Sequence, residues 1–240
     1  MTIALRQEWP TAWTAATATT VVSGTPGSAC LVGSGIGCWV LFDGGAGSTL
    51  PSSVVDSASQ SYTYTGTVVT DNNSGLNWAL YRLNNNASAT SLILTATWAA
   101  AIGYRGLWPF EISGTSGYQT STGNDQSPPA GGGGVGAITS GATGTLIQPC
   151  LAHVVSVDSQ ANGLSTVVSP LVTGVGSPGL LLSGNSFSSG VSGSVRLTST
   201  SPFTGALTNA TDGPTASFLT GVSVWTEQAS GNTASIAWVG

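Results

Sequence analysis

The residue types that most often carry out chemistry in proteins are scarce in this chain. Its one histidine, His153, lies inside the apolar run LAHVVSV, where a histidine is usually a packed core residue. A serine or cysteine nucleophile needs a neighbouring base, and no GxSxG turn occurs here between a strand and a helix. We therefore expect no catalytic residue, no metal site and no cofactor.

Two facing carboxylates would be the remaining route to catalysis, as in glycoside hydrolysis. Among the nine acidic residues, Glu111 and Glu227 fall at the ends of predicted strands and Asp125 falls in a long loop. Nothing in their spacing marks a pair. We expect these acids to cap turns and to pair with arginines such as Arg82 and Arg105.

The three cysteines, Cys30, Cys38 and Cys150, are an odd number that fits no disulfide framework. Cys30 and Cys38 are spaced to pair across a hairpin, so a single disulfide between them is the alternative. Buried free thiols, in a protein assembled in reducing cytosol, are the favoured interpretation.

Tryptophan is abundant, with eight residues, and exposed indole rings stack well on sugars. Five of the eight lie inside alternating runs and are predicted to be core residues: Trp39, Trp78, Trp98, Trp225 and Trp238. Trp108 precedes Pro109, which suggests an edge or bulge position. Trp108, Tyr118 and Asp125 are therefore the candidate contacts for a bound ligand.

The elements that would position these residues are short β-rich runs separated by turn residues. The helical spacing of apolar residues is almost missing, whereas period-two alternation recurs. In SLILTATW, for example, Leu92, Leu94, Ala96 and Trp98 share one face. The predicted strands are 38–42, 62–69, 77–83, 91–98, 106–113, 151–157, 165–172, 193–200, 216–227 and 233–240. About ten strands at this spacing predict an all-β fold of the jelly-roll β-sandwich type.

Two segments fall outside this pattern. Residues 1–25 are predicted to form an extended N-terminal arm, with Trp9 and Trp13 as candidate anchors on a neighbouring subunit. Residues 26–240 are predicted to form a single domain, interrupted by a long Gly-rich loop over 117–145. A loop of that length is usually functional or disordered.

Composition limits the classes of partner. Only 5% of the residues are charged, against roughly 25% in ordinary soluble proteins, and lysine is absent. Four scattered arginines and a net charge of −5 lack the basic footprint of a nucleic-acid or anionic-membrane binder. The apolar run 30–42 is too short to span a bilayer, and the first residues lack a signal-peptide pattern. A surface built from hydroxyls and amides suits a protein that packs against copies of itself or a larger particle.

Three stretches carry a resemblance to a known module: NWALYRLNNNASATSLILTATW, GYRGLWPFEISGTSGY and NDQSPPA. Together with the closing portion, from RLTSTSPFTGALTNATDGPT to SVWTEQASGNTASIAWVG, they resemble a jelly-roll module of bacteriophage virion proteins and related bacterial surface proteins. The resemblance covers residues 30–240 and leaves the N-terminal arm outside the module.

The resemblance implies a non-enzymatic virion protein, assembled in the host cytoplasm. The most specific expectation is a head decoration (cement) protein that binds the major capsid protein or other virion proteins. Jelly rolls in virions often form trimers, so a homo-oligomer is expected. The alternative is a receptor- or glycan-binding module of a tail fibre or a bacterial surface protein, which predicts an exposed Trp108 or an exposed 117–135 loop.

Overall fold

The computed structural model describes residues 2–10, 14, 16–44, 49–72, 75–126, 137–147, 149–158, 167–170, 190–209 and 218–229. These residues form fifteen β-strands and no helix. The strands are β1 (Ala4–Glu8), β2 (Ala18–Val22), β3 (Gly35–Asp43), β4 (Ser53–Asp56), β5 (Thr63–Thr70), β6 (Leu76–Leu83), β7 (Leu94–Ile102), β8 (Arg105–Ser113), β9 (Thr115–Gln126), β10 (Ala137–Ala142), β11 (Cys150–Asp158), β12 (Val167–Pro170), β13 (Gly190–Leu197), β14 (Thr204–Asn209) and β15 (Phe218–Glu227).

The strands form four sheets in which every described pairing is antiparallel. Sheet 1 has the order β2-β7-β4, and sheet 2 has the order β1-β8-β3-β6-β5. Sheet 3 has the order β13-β11-β15-β9, and sheet 4 has the order β10-β14-β12.

Three apolar clusters show that the sheets are stacked in the order 1, 2, 3, 4. One cluster joins sheets 1 and 2 and includes Trp98 from β7 and Phe42 from β3. The next joins sheets 2 and 3 and includes Trp39 and Trp225. The last lies on the far face of sheet 3, where a side chain at Gly205 of β14 would collide with Val154 of β11. The central strands of sheets 2 and 3 are therefore buried on both faces.

Burial on both faces explains the sequences of the central strands. In GIGCWVLFD (β3) and FLTGVSVWTE (β15), eight successive residues are buried. A strand covered on both sides needs apolar or small residues at every position, which weakens the period-two signal. By contrast, in β7 the four residues from Leu94 to Thr97 alternate between buried and half-buried because only one face is covered.

The chain builds the stack in two consecutive halves. All described strands of sheets 1 and 2 precede Gly114, and all described strands of sheets 3 and 4 follow it. Gly114 has φ 67, and a Cβ there would lie 2.7 Å from the carbonyl oxygen of Thr2. The joint between the halves thus requires glycine both for its left-handed backbone and for space.

The all-β expectation is confirmed, with more strands and sheets than the sequence indicated. Within the stretch expected to form the N-terminal arm, β1 adds to the edge of sheet 2 and β2 adds to the edge of sheet 1. Within the predicted loop over 117–145, β9 pairs with β15 and β10 pairs with β14. The predicted strand 233–240 lies outside the described residues. Within the part of the chain that the structure describes, there is no helix with the length and hydropathy needed to cross a bilayer.

Candidate functional site

The outer face of sheet 1 carries small, uncharged side chains in register. Val21, Val54, Ala96 and Trp98 point inward and are buried, so their neighbours along each strand point outward. The outward residues form two rows across three strands: Thr20, Thr97 and Ser53, then Val22, Thr95 and Val55. Three exposed alanines, 99–101, continue the surface along β7. We call this surface the sheet 1 face.

Most of the described charged side chains are buried or half-buried. Asp158 and Asp212 lie outside the residues whose side chains are described. Among the other eleven charged residues, Arg196 alone is well exposed, with 41% of its side chain accessible, and its Nε donates to Glu227 Oε2 at 2.7 Å. The described surface is therefore built almost entirely from uncharged groups.

Arg105 illustrates how an inward charge is accommodated. It is 4% exposed, and its guanidinium donates to the carbonyl oxygens of Thr20, Ala16 and Ile102. Burial lowers the pKa of Arg105, but three carbonyl partners compensate for lost hydration. These contacts also fasten β2 to the rest of the N-terminal half.

A buried carboxylate, Glu8, joins sheets 2 and 3. Its Oε1 accepts a hydrogen bond from Trp108 Nε1 at 2.8 Å and lies 2.9 Å from His153 Nε2. Its Oε2 accepts from the hydroxyl of Ser192 at 2.6 Å. Glu8 ends β1, Trp108 lies on β8, His153 on β11 and Ser192 on β13, so one side chain connects four strands. We call this group the Glu8 junction.

The Glu8 junction has the residue types of a catalytic triad but not the arrangement. Because an ionised carboxylate only accepts hydrogen bonds, His153 must carry its proton on Nε2. Ser192 bonds to the carboxylate and not to the imidazole, whereas a triad needs the serine against the histidine. The Phe110 ring packs over the imidazole with centroids 4.1 Å apart. The described geometry is that of a structural junction.

The pKa of Glu8 reflects opposing effects. Burial alone would raise it, but hydrogen bonds from His153, Ser192 and Trp108 and the attraction of His153 outweigh burial. The pKa of Glu8 therefore lies below its ordinary value of 4.5. The junction is held by an ionised carboxylate at neutral pH.

A second carboxylate, Glu111, lies under the segment that precedes β3. Its Oε2 accepts from Arg6 at 2.6 Å and from Gln7 at 2.7 Å, and its Oε1 accepts from the Leu31 backbone at 2.6 Å. Glu111 is fully buried. It therefore fastens residues 28–31 to the edge of sheet 2.

Of the predicted anchors, Trp9 is 3% exposed and belongs to the cluster between sheets 1 and 2. The backbone N–H of Trp9 donates to the carbonyl oxygen of Pro109 at 3.1 Å, and this bond holds Trp9 just beyond the end of β1. An aromatic residue packed into its own chain is not free to dock on a neighbour. Trp13 lies outside the described residues.

The three predicted ligand contacts are not brought together at one opening. Trp108 is fully buried in the Glu8 junction. The predicted edge position is wrong, because β8 lies between β1 and β3. A proline is tolerated at position 109 because the N–H that it lacks would point toward Trp9, just beyond the end of β1, where no strand hydrogen bond is lost. Tyr118 is half-buried between Trp225 and the guanidinium of Arg82. Asp125 Oδ2 accepts from the backbone and side chain of Asn72.

Cys30, Cys38 and Cys150 are all buried, and no disulfide joins them. No group of three His, Cys, Asp or Glu side chains that could hold a metal ion occurs among the described residues. Sequence reasoning overlooked the Glu8 junction. Its one signal is His153, a titratable residue inside an apolar strand, which requires a polar partner from another strand.

Comparison with known proteins adds no relative: no protein-family model, no curated protein and no solved structure matches this chain.

Proposed function

We propose that the chain is a non-enzymatic structural protein of a virion, most specifically a decoration protein that binds the surface of a bacteriophage head. The observation that carries the proposal is the scarcity of well-exposed charge on the described surface. Among the charged residues whose side chains are described, only Arg196 is exposed, and it is paired with Glu227. The resemblance noted in the sequence supplies the virion context.

An uncharged surface favours close contact with neighbouring subunits. Burying a charge costs far more than burying a hydroxyl or a methyl group, and the centres of protein interfaces are depleted in charged residues. Net charge also keeps colliding molecules apart. A surface of threonine, serine, valine and alanine is thus poorly suited to a dilute monomer and well suited to a packed assembly.

The sheet 1 face is the proposed contact surface. It is regular, uncharged and rich in small side chains, so two such surfaces or a capsid surface can approach closely. Single contacts of this kind are modest, but a homo-oligomer that engages several capsid subunits at once gains avidity. In this proposal the two pairs of sheets are an elaborated form of the jelly-roll module that the sequence resembles.

The direct test is mass spectrometry of density-purified particles of the source virus or lysogen, with the copy number counted against the major capsid protein. A copy number in the hundreds places the chain on the head lattice and supports decoration. A few copies per particle move it to a tail, fibre or vertex and favour the receptor- or glycan-binding alternative. Absence from the particles overturns the virion proposal.

A further inference from the structure

The thiol of Cys30 lies against the side-chain amide of Gln7. Gln7 Nε2 is 3.6 Å from Cys30 Sγ, and Cys30 is 1% exposed. Gln7 lies on β1 at the edge of sheet 2, and Cys30 lies in the 28–31 segment that Glu111 fastens over that edge. The contact is therefore held from both sides by strand pairing and a buried carboxylate.

The amide oxygen of Gln7 is held by two donors. Gln7 Oε1 accepts from both the backbone N–H and the hydroxyl of Ser28, each at 3.1 Å. Donors aimed at a carbonyl oxygen stabilise the negative charge that develops when a nucleophile adds to the carbon. The same amide is thus both fixed in place and polarised.

The amide nitrogen faces a group that can exchange protons. Gln7 Nε2 donates to Glu111 Oε2 at 2.7 Å, and Arg6 Nη1 donates to the same oxygen at 2.6 Å. The nucleophile, the polarised carbonyl and the carboxylate therefore lie together at the edge of sheet 2, where Cys30 and Glu111 are buried and Gln7 is half-buried. Such fixed proximity replaces a collision between separate molecules, which accelerates reactions by large factors.

We propose that Cys30 and Gln7 form an internal thioester. Sγ adds to the Gln7 side-chain carbonyl carbon, the C–S bond forms, and the C–N bond to Nε2 breaks. The thiol proton passes to the leaving nitrogen, with Glu111 available as the relay, and one molecule of ammonia leaves. No oxidant or co-reactant is consumed, and ammonia that escapes to solvent is protonated and diluted, which draws the reaction forward.

The raised pKa of the Cys30 thiol makes thioester formation slow, but a slow reaction is enough to modify each chain once. Burial, and then the charge of Glu111, raise the pKa of the Cys30 thiol to about 11, although the Leu92 N–H and Arg6 act in the opposite direction. The thiol therefore loses its proton during the attack and not beforehand. A self-modification occurs once per chain, so a low rate is enough.

The product is a covalent link between β1 and the 28–31 segment. It closes a ring over residues 7–30 at the outer edge of sheet 2. Because Cys30 is 1% exposed, the sulfur of the thioester is shielded from solvent, and we expect this to slow hydrolysis of the bond in the folded chain. The inference concerns the chain itself and is independent of the proposed virion role.

Intact-mass measurement of the full chain, purified at mildly acidic pH, tests the proposal. The expected mass is that of the sequence less one ammonia. Alkylation in denaturant at the same pH is expected to modify two of the three cysteines. Incubation with methylamine in denaturant should restore the third thiol and leave an N-methylated amide at Gln7 in the peptide map.

Succinimide formation at an asparagine also releases ammonia, so matched variants are needed to show that the lost ammonia comes from Cys30 and Gln7. The loss should vanish in Cys30→Ala and in Gln7→Glu, and it should persist in Cys150→Ala. A wild-type chain of full sequence mass with three alkylatable thiols overturns the proposal. So does a mass loss that survives in Cys30→Ala.

Discussion

At the scale of single residues, Glu8 matters because one carboxylate satisfies three donors from two sheets. Hydrogen bonds to an ionised group contribute about 1.5–3 kcal/mol each to stability. A buried donor left without its acceptor costs a comparable amount. The side chain of Glu8 is 8% exposed, so water cannot easily take its place.

We predict that Glu8→Gln lowers the free energy of unfolding by about 3 kcal/mol, because removing one member of a buried charged network leaves its partners uncompensated. Urea denaturation followed by tryptophan fluorescence measures the change. The control is Glu227→Gln, whose partner Arg196 is exposed, and we expect it to stay close to wild type. Equal midpoints for Glu8→Gln and wild type would contradict the structural role of the junction.

The same carboxylate predicts a pH dependence. The pKa of Glu8 is lower in the folded chain than its ordinary value of 4.5. Its stabilising contribution is therefore fully present above pH 4.5 and is lost as the pH falls through the folded pKa. Wild type should lose stability more steeply than Glu8→Gln over this acidic window, as thermal melts between about pH 6 and pH 2 would show. Parallel profiles for the two proteins would exclude this contribution.

At the scale of the elements, the central strands combine glycine with aromatic residues. Gly37 on β3 is opposite Phe110 on β8, and a Cβ at Gly37 would lie 2.0 Å from the Phe110 ring. Gly221 on β15 faces Trp39, and a Cβ there would lie 2.3 Å from the indole. Each large ring thus occupies the space that the glycine opposite leaves open.

We predict that Gly37→Ala lowers the free energy of unfolding by about 1–3 kcal/mol, because an added methyl group in a filled core forces its neighbours to shift. Gly27→Ala is the matched control, since nothing lies within 4 Å of a Cβ there. Chemical denaturation of both variants measures the difference. The double variant Gly37→Ala with Phe110→Leu should recover part of the loss, and purely additive effects would contradict the packing explanation.

The strands that could be predicted from sequence are those with strong apolar alternation. Leu92, Leu94, Ala96 and Trp98 share a buried face as expected. In β15, the predicted face containing Phe218 and Val222 is buried, but Leu219 and Trp225 on the other face are buried too. Alternation alone cannot show that a second sheet covers the far side.

The strands that sequence reasoning missed are short or polar. β1 (ALRQE) and β2 (ATTVV) are edge strands of five residues. β9 (TSGYQTSTGNDQ) is half-buried along most of its length, which permits serine and threonine instead of alternating apolar residues. Edge strands obtain their stability from pairing and not from a buried side-chain face, so their local sequence carries a weak signal.

At the scale of the whole molecule, the composition predicts that charge is scarce. It does not predict which of the charged side chains are buried. The sequence shows thirteen charged residues, and only long-range contacts reveal that most of those described are buried or half-buried. Glu8 and Ser192, for example, are separated by 184 positions. No local pattern reports a contact of that range.

The uncharged surface predicts attachment that salt does not weaken. Screening shortens the reach of charges as ionic strength rises, and the sheet 1 face has none. Binding of the purified chain to particles stripped of it should change little between about 0.05 M and about 1 M salt. A steep loss of binding at high salt would contradict attachment through uncharged contacts.

Ala99→Glu places a charge on the sheet 1 face and should reduce binding in the same assay by at least about tenfold, which corresponds to about 1.4 kcal/mol. Ser201→Glu is the control, since Ser201 is exposed in the turn before β14 and away from that face. Unchanged binding of Ala99→Glu would move the contact surface elsewhere on the chain.

The division of the chain at Gly114 has a consequence for synthesis on the ribosome. Every described strand of sheets 1 and 2 emerges before any described strand of sheets 3 and 4. The nascent first half can complete the strand pairing of sheets 1 and 2 before His153 and Ser192, the partners of Glu8, have been synthesised. During that interval the face of sheet 2 that bears Trp39, Trp78 and Trp108 is uncovered. Translation of the second half is therefore the period in which this chain most needs a chaperone, and slow codons just after Gly114 would prolong its exposure to aggregation.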